Sequence, residues 1–536
     1  MPCTTILVGK RASYDGSTII ARDEDSPNGE FTPKKLAVVH PDEQPRTYTS
    51  VLGHLTVELP DNPQRYTCVP DAVPKDGVWA EAGFNESNVA MSATETITSN
   101  ERVLGADPLV EYAPACGSEN EEGYEPARPG GIGEEDMVTL VLPYIRSARE
   151  GVERLGALLE RYGTYEMNGI AFSDVDEIWW LETVGGHHWI AKRVPDNAYV
   201  TMPNQLGIDY FDLADAEGEQ AEHMASADLR SWMADNHLDL SMVNEEDLDD
   251  LLGEYLDDVD PDADDDEFVA FVDDVRERML SGDIFNPREA FGSHSDSDHV
   301  YNTPRAWYMQ RFLNPHDGWD GPDASFHPED DDIPWSRVPE RKITIEDVKY
   351  VLSAHYQGTP YDPYGKGPEA SRGAYRPIGI NRNGQLAVLQ LRPYAAPAYR
   401  AVQWMAFGSN AFNALVPLYG NVEKLPAYLC NTEATVSTES FYWANRLIGA
   451  LADARFHDNA NAVERYQEKM GAFGHRVLRE TDAAVSELPE AQVPIELAAA
   501  NERVASELRV QTDKLLGKVL YTTSMGMRNN FSMSDN

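Results

Sequence analysis

The order in which strand-like and helix-like segments follow one another is the feature that most constrains the fold of this 536-residue chain. Runs rich in β-branched residues occupy 4–8 and 17–21, on either side of the turn signal Ser13-Tyr14-Asp15-Gly16. Two such runs around a turn-prone segment predict an antiparallel hairpin. Turn-prone residues between the apolar runs 77–82 and 89–93 predict a second hairpin in the same way.

Helical periodicity follows these strands. Apolar residues recur every three or four positions over 134–162, and Ser147 can cap the second of two helices there. Three further apolar runs, at 177–183, 187–192 and 198–202, predict a three-stranded meander.

The later part of the chain again places strands before helices. Strand-like runs return at 385–391 and 401–406, and apolar residues take helical spacing over 463–477 and 504–519. Because strands and helices do not alternate regularly, the order predicts an α+β fold with mostly antiparallel sheets and disfavours a parallel, doubly wound one.

The charge of the chain limits its partners. It has 91 acidic and 44 basic side chains, a formal net charge of −47. Such an excess of negative charge repels phosphate backbones and anionic lipid, so we expect neither a nucleic acid nor a membrane as partner. No run approaches the roughly 20 apolar residues of a membrane-spanning helix, and the N-terminus lacks the features of a signal peptide. We therefore expect a cytoplasmic protein.

The acidity is concentrated in one segment. Residues 241–270 hold 14 acidic side chains and no Lys or Arg. Within this segment, apolar residues keep a helical stripe at Leu248, Leu251, Leu252, Tyr255 and Leu256. This pattern predicts an amphipathic helix with an acidic outer face, in a helical insertion. A non-catalytic protein that collects cations on this segment is one alternative function.

The chain has four cysteines, Cys3, Cys68, Cys116 and Cys430, which are too scattered for a disulfide framework or a paired zinc motif. Cys3 lies directly before the first strand, preceded only by Met1 and Pro2. Removal of those two residues would place a thiol and a free α-amine on one residue. Because the amine has a reference pKa of about 7.7–8.0, it could act as the general base for its own thiol.

The surroundings of Cys3 belong to a wider set of motifs. They are Cys3-Thr4-Thr5-Ile6-Leu7-Val8-Gly9-Lys10, Asp15-Gly16-Ser17-Thr18, Ala21-Arg22-Asp23-Glu24-Asp25, Gly83-Phe84-Asn85-Glu86, Leu142-Pro143-Tyr144-Ile145, Ala148-Arg149-Glu150-Gly151, Trp180-Leu181-Glu182-Thr183, Gly185-Gly186-His187-His188-Trp189, Pro203-Asn204-Gln205 and Asn302-Thr303-Pro304-Arg305. With these segments the sequence resembles the dipeptidase A type cysteine dipeptidases of the N-terminal nucleophile (Ntn) hydrolase superfamily. They are relatives of choloylglycine (bile-salt) hydrolases and penicillin V acylases.

The resemblance implies a four-layer αββα sandwich. Residues 3–211 would then form the first part of the catalytic domain and 301–455 its remainder. An acidic helical insertion would span 212–300, and C-terminal helices at 456–536 would pack on the core. The implied reaction is attack by Cys3 on the peptide bond of a dipeptide, through a thioester, without a cofactor.

The resemblance also implies roles for two charged residues beside the thiol. Arg22 would favour the thiolate, and Asp25 would orient the freed α-amine; the alternative is a surface ion pair at a strand end. A strict two-residue turn at Asp15-Gly16 would place Asp25 opposite Ile6, about 10 Å along the strand from Cys3. We therefore predict a longer connection or a bulge over residues 10–16.

Further site residues follow from the same resemblance. Asn204 would donate to the oxyanion, although a turn-forming asparagine has the same sequence signature. Glu95 departs from the residue type of the acylases and would bind the ammonium of a dipeptide. Arg305, with Arg311 as the alternative, would hold the carboxylate of the substrate.

The histidine pair at 187–188 and the run 294–299 suggest metal ligands, but we expect no metal, because strand packing or hydrogen bonding explains the pair. We expect a homo-oligomer that acts on dipeptides. An acylase acting on bile-salt or penicillin-like amides is the nearest alternative. Removal of Met1 and Pro2 by self-cleavage or by another peptidase is left open.

Overall fold

Two large antiparallel sheets form the centre of the molecule. The computed structural model describes residues 3–27, 30–117, 123–240, 265–321 and 323–529. Strands pair as antiparallel neighbours throughout both sheets, and a helical region ends the chain. The fold is therefore α+β with mostly antiparallel sheets, as the segment order predicts.

The strands are given in spatial order. The seven-stranded sheet contains Ser336–Arg337, Tyr199–Met202, Cys3–Val8, Thr18–Asp25, Asn383–Leu391, Ala401–Phe407 and Val416–Tyr419. The six-stranded sheet contains His223–Ala225, Trp189–Arg193, Ile178–Thr183, Asn168–Ser173, Ala90–Thr96 and Ala82–Phe84. Small two-stranded sheets pair Glu111–Ala113 with Arg128–Pro129, Phe211–Asp212 with Ile284–Phe285, Ala37–Val39 with Tyr66–Cys68, and Thr47–Thr49 with Thr56–Glu58.

The α-helices of the described residues are Glu101–Ala106, Met137–Val141, Ala148–Tyr162, Leu213–Glu217, Leu229–Asn236, Asp265–Ser281, Pro287–Phe291, Asp298–Tyr301, Thr303–Leu313, Ile345–Val351, Ala427–Cys430, Phe441–Asp453, Phe456–Val485 and Val493–Met525. Short 3₁₀ turns occur at Leu142–Tyr144, Pro397–Tyr399 and Glu490–Gln492. Ser147 caps the helix Ala148–Tyr162 as predicted, because its side chain accepts a hydrogen bond from the Glu150 amide. Within the described ranges, every helix is too short or too polar to cross a lipid bilayer.

The core joins both sheets to helices. One apolar cluster holds Val8 and Ile20 of the seven-stranded sheet together with Trp180 of the six-stranded sheet. The helix Ala148–Tyr162 approaches the six-stranded sheet so closely that a Cβ on Gly156 would lie 2.2 Å from the Trp189 ring. These strands are buried on both faces, which explains why they read as nearly continuous apolar runs.

The long C-terminal helices cover the strand Val416–Tyr419 at the edge of the seven-stranded sheet. Gly474 packs on Pro417, where a Cβ would approach the proline ring to 2.5 Å. The Asn501 side chain accepts from the Tyr419 amide at 2.8 Å and donates to its carbonyl at 3.1 Å. Asn501 thus occupies hydrogen-bonding groups that an edge strand would otherwise expose.

The predicted three-stranded meander is wrong in its last strand. Ile178–Thr183 and Trp189–Arg193 form the expected hairpin, but Tyr199–Met202 pairs with Cys3–Val8 in the other sheet. A period-two pattern predicts a strand without specifying its neighbour. This crossover matters for the site, because it brings the end of Tyr199–Met202 beside Cys3.

The predicted helical insertion at 212–300 is partly integrated into the fold. Its strand His223–Ala225 completes the edge of the six-stranded sheet. The helix Asp265–Ser281 follows farther along the chain. The predicted amphipathic helix around Leu248–Leu256 lies outside the described residues.

Candidate active site

Cys3 is the first residue of a central strand, and strand register determines what surrounds it. Cys3 pairs with Glu24 on one side, and Thr5 pairs with Met202 on the other. Asn204 follows Met202 by two residues, just beyond the end of this pairing, and Arg305 donates to both Asn204 Oδ1 and the Cys3 carbonyl. The loop between the first two strands spans residues 9–17, which confirms the predicted longer connection. Asp25 therefore lies just beyond the level of Cys3.

The Cys3 thiol is fully buried and faces Arg22. Its Sγ lies 3.4 Å from Nη1 of Arg22. Burial raises the pKa of the Cys3 thiol well above its ordinary value, Arg22 opposes this shift, and Glu95 adds to it. In the intact chain the thiol is therefore held in its protonated form.

A buried set of charges fixes Arg22. Its guanidinium forms an ion pair with Glu81 and donates through Nε to Ser92 Oγ at 3.1 Å. Lys34 Nζ lies 3.2 Å from the carboxylates of both Glu81 and Glu24, and 2.7 Å from Asp71. These carboxyl groups surround the two buried cations, Arg22 and Lys34.

Sequence reasoning missed Glu81 and Lys34. The available signal was a single glutamate inside the apolar run 78–82, because a carboxylate in a buried strand needs a cationic partner. Nothing in the local sequence around Lys34 identifies it as that partner.

Arg305 is also fully buried, and it contacts the backbone of the proposed nucleophile. Its five N–H groups have five oxygen acceptors: Tyr301 O, Cys3 O, Thr4 Oγ1, Asn204 Oδ1 and Asn302 Oδ1. No donor is left for a substrate carboxylate, so the geometry does not fit the expected clamp. The alternative residue, Arg311, is half-buried and pairs with the exposed Asp320 at 2.7 Å.

Asn204 is held beside Cys3 by three hydrogen bonds. Its Oδ1 accepts from Arg305 at 2.8 Å, and its backbone carbonyl accepts from Asn302 at 3.0 Å. One N–H of its side-chain amide group donates to Thr96 O at 2.9 Å. An amide nitrogen has two N–H groups, so a second one can serve an oxyanion.

Asp25 and Arg22 lie three residues apart on one strand, so their side chains point to opposite faces of the sheet. It forms an ion pair with Arg376, and its Oδ1 accepts from Asn383 at 2.7 Å. Asn383 also donates to Asp23 at 2.9 Å, which links the two aspartates. Sequence reasoning missed Arg376, because it lies more than 300 residues from Asp25 in a segment without regular structure.

Glu95 is a fully buried carboxyl group on the six-stranded sheet. Its Oε2 accepts from Thr5 at 2.9 Å, and Oε1 has no hydrogen-bond partner among the described residues. Burial raises the pKa of Glu95 to about 8, although Arg305 and Arg22 act against the shift. The side chain can therefore exist as acid or as anion near neutral pH.

This shift predicts a pH-dependent effect of Glu95→Gln on stability. A carboxyl whose pKa is raised by folding favours the folded state below its unfolded pKa of about 4.5, and this contribution is lost as pH rises through about 8. Glutamine cannot ionise. In urea unfolding at pH 5, 7 and 9, we expect the variant to gain stability relative to the parent chain as pH increases. If the free energy of unfolding changed equally with pH in both proteins, the raised pKa of Glu95 would be contradicted.

The histidine pair has a structural explanation. Nδ1 of His187 and Nδ1 of His188 lie 3.2 Å and 2.8 Å from the carboxylate of Asp107. In the part of the chain that the structure describes, no group of three or more His, Cys, Asp or Glu side chains is arranged to hold a metal ion.

Comparison with known proteins covers almost the whole chain. The family model of peptidase family C69 matches residues 2–469. A dipeptidase of Bifidobacterium longum (strain NCC 2705) is 58% identical over 575 residues, covering 100% of both chains. A probable dipeptidase A of Streptococcus pyogenes serotype M3 (strain SSI-1) is 50% identical over 536 residues, again 100% of both. Dipeptidase A of Lactobacillus helveticus is 40% identical over 522 residues, 97% of this chain and 96% of its own. The chain therefore belongs to peptidase family C69.

Proposed function

We propose that this chain, a dipeptidase, cleaves its substrate with the Cys3 thiol as nucleophile, after removal of Met1 and Pro2. One observation carries the mechanism: the Cys3 thiol lies at the end of a central strand, 3.4 Å from Arg22, and Arg305 donates to both the Cys3 carbonyl and the Asn204 side chain. Family membership and full-length similarity to dipeptidases support the activity.

The reaction uses groups of this chain alone. The free α-amine of Cys3 accepts the thiol proton, and the sulfur attacks the carbonyl carbon of the dipeptide. The oxyanion that forms accepts a hydrogen bond from Asn204. When the C–N bond breaks, the proton passes to the leaving amine and a thioester remains. Water then adds to the thioester, which releases the N-terminal amino acid of the dipeptide and regenerates the thiol.

The surrounding charges have separate roles in this proposal. Arg22 stabilises the thiolate, and Asp25 with Asn383 orients the α-amine. Glu95, with one unpartnered oxygen, binds the ammonium of the dipeptide. Arg305 is a positioning residue, because it contacts Cys3 and Asn204 and has no donor left for substrate.

Processing of the N-terminus tests the mechanism. In the intact chain the nitrogen of Cys3 belongs to the peptide bond with Pro2, so it cannot act as a base. We expect intact-mass measurement and N-terminal sequencing of active enzyme to find Cys3 as the first residue. An active preparation that retains Pro2 would exclude this base.

The Cys3→Ala chain distinguishes the two routes of processing. If Cys3 cleaves its own leader, the variant keeps Pro2 during expression, even where an aminopeptidase removes Met1. If another peptidase acts, the variant loses Pro2 as the parent chain does.

Substrate assays separate the dipeptidase from its alternatives. We expect hydrolysis of a panel of dipeptides and no comparable turnover of penicillin V or a bile-salt conjugate. Calcium titration by calorimetry tests cation binding by the acidic segment 241–270. Faster turnover of penicillin V than of any dipeptide would favour an acylase.

We also propose the four-layer αββα arrangement, with the divisions at 3–211, 212–300, 301–455 and 456–536. The close approach of Gly156 to Trp189 and of Gly474 to Pro417 supports a helical layer beside each sheet. Homo-oligomer formation is part of the proposal as well. Exposed Ile495, Leu520 and Tyr521 on the last helix offer apolar surface, and light scattering measures the assembly.

A further inference from the structure

A cavity lies apart from the residues of the Cys3 site. It has a volume of about 630 Å³ and is bounded by the helices Ile345–Val351 and Phe456–Val485 and the segment 411–415. None of the residues that line it belongs to the site described above. Its volume is within the range of pockets that hold small molecules.

The walls of this cavity are aromatic and apolar. Trp404, Phe412 and Phe456 line it together with Ile345 and Leu415. Trp404 and Phe412 are almost completely buried in the protein, so the rings are fixed by packing. Such walls favour an apolar group, and aromatic faces also attract a cation.

The charged groups at the cavity are mainly acidic. Four carboxylates line it, from Glu346, Asp362, Glu464 and Glu468. Glu346 is engaged by His475 at 2.6 Å and Asp362 by His355 at 2.9 Å. Glu464 and Glu468 are exposed on one helix, four positions apart, so they lie on the same face.

Lys349 also lines the cavity, but its ammonium group is bound within the protein. Lys349 Nζ donates to Ser353 Oγ at 2.9 Å, Asn410 O at 2.6 Å and Asn413 Oδ1 at 2.7 Å. An ammonium group has three N–H donors, so all of those on Lys349 are used within the protein. The cavity therefore offers an anionic ligand no free cationic donor at Lys349.

We propose that this cavity binds a small apolar molecule carrying an ammonium group. The apolar part lies against the aromatic rings, and the ammonium faces Glu464 and Glu468. This proposal does not depend on the mechanism at Cys3.

One glycine in the wall supports a binding role. Gly474 on the same helix is explained by its packing on Pro417, but a Cβ on Gly471 would meet no atom within 4 Å. Glycine inside a helix costs about 1 kcal/mol relative to alanine. Since no neighbour requires Gly471 to lack a side chain, its effect here is to keep the cavity wide.

The test is calorimetric titration of the full chain with 2-phenylethylamine. We expect one site per chain, with at least fivefold weaker binding of 2-phenylethanol, which lacks the ammonium, and of L-phenylalanine, whose carboxylate faces the acids. Gly471→Phe fills the cavity, so we expect at least tenfold weaker binding. Gly471→Ala controls for the backbone and should bind within twofold of the parent chain. Both variants should hydrolyse dipeptides at the rate of the parent chain, because no residue of the Cys3 site lines this cavity.

A charge variant makes the test independent of packing. Glu464→Gln combined with Glu468→Gln should weaken amine binding about fivefold, as expected for two exposed ion pairs. Glu480→Gln, an exposed residue on the same helix that does not line the cavity, should have no effect. The proposal is overturned if the folded parent chain does not bind the amine. It is also overturned if the alcohol or phenylalanine binds equally well, or if a folded Gly471→Phe or the charge variant binds like the parent chain.

Discussion

Cys3→Ala is expected to lower kcat/KM for dipeptides by about ten-thousandfold or more, as for loss of the nucleophile in other covalent hydrolases. The variant lacks the proposed nucleophile, the thiol that lies 3.4 Å from Arg22. Steady-state hydrolysis of several dipeptides by purified protein measures the effect, with circular dichroism to confirm folding.

Cys116→Ala is the matched control, because Cys116 is an exposed thiol. We expect its kcat/KM to equal that of the parent chain within twofold. A Cys3→Ala protein that keeps more than a tenth of the parent activity would remove Cys3 from the mechanism. Equal loss in both variants would instead indicate a general effect of removing thiols.

The second large effect is expected for Arg305→Met. This change removes the donors of five hydrogen bonds and leaves buried oxygens of Cys3, Asn204 and Asn302 without their partner. Unsatisfied buried acceptors cost about 1–3 kcal/mol each, and local relaxation recovers part of this. We expect the free energy of unfolding to fall by about 3 kcal/mol or more. Urea unfolding followed by circular dichroism measures it.

Arg311→Met provides the comparison on the same helix. Arg311 is half-buried and pairs with the exposed Asp320, and ion pairs open to solvent contribute about 1 kcal/mol or less. Activity gives a second readout, because Arg305 donates to both the Cys3 carbonyl and the Asn204 side chain. We expect kcat to fall more than KM rises in Arg305→Lys, which keeps the charge but not the planar set of donors. A KM effect alone would favour substrate binding by Arg305.

Most strands along the chain could be predicted from local sequence, and so could the candidate nucleophile. Alternation of apolar residues and turn signals indicated the first hairpin, and the length of its connection followed from requiring Asp25 to lie near Cys3. The partner of Tyr199–Met202 could not be predicted, because an apolar strand fits either sheet equally well. That pairing is what places Asn204 beside the thiol.

The roles of charged residues depended more strongly on tertiary structure. Arg305 was expected to contact substrate, yet its donors are all used within the protein. Glu81 and Arg376, which hold Arg22 and Asp25, carry no local signal that pairs them. A buried charge needs a partner, but the sequence does not state which one.

Local sequence was enough to identify the class of fold and the family, because hydrophobic periodicity and family motifs are local properties of the chain. The motif around the first strand also singled out Cys3. The side chains that surround this thiol, and the donors among them that are already used, are known only from the folded chain. Those facts depend on burial and on pairing between distant segments, where a few ångströms separate a group that binds substrate from one that holds the site together.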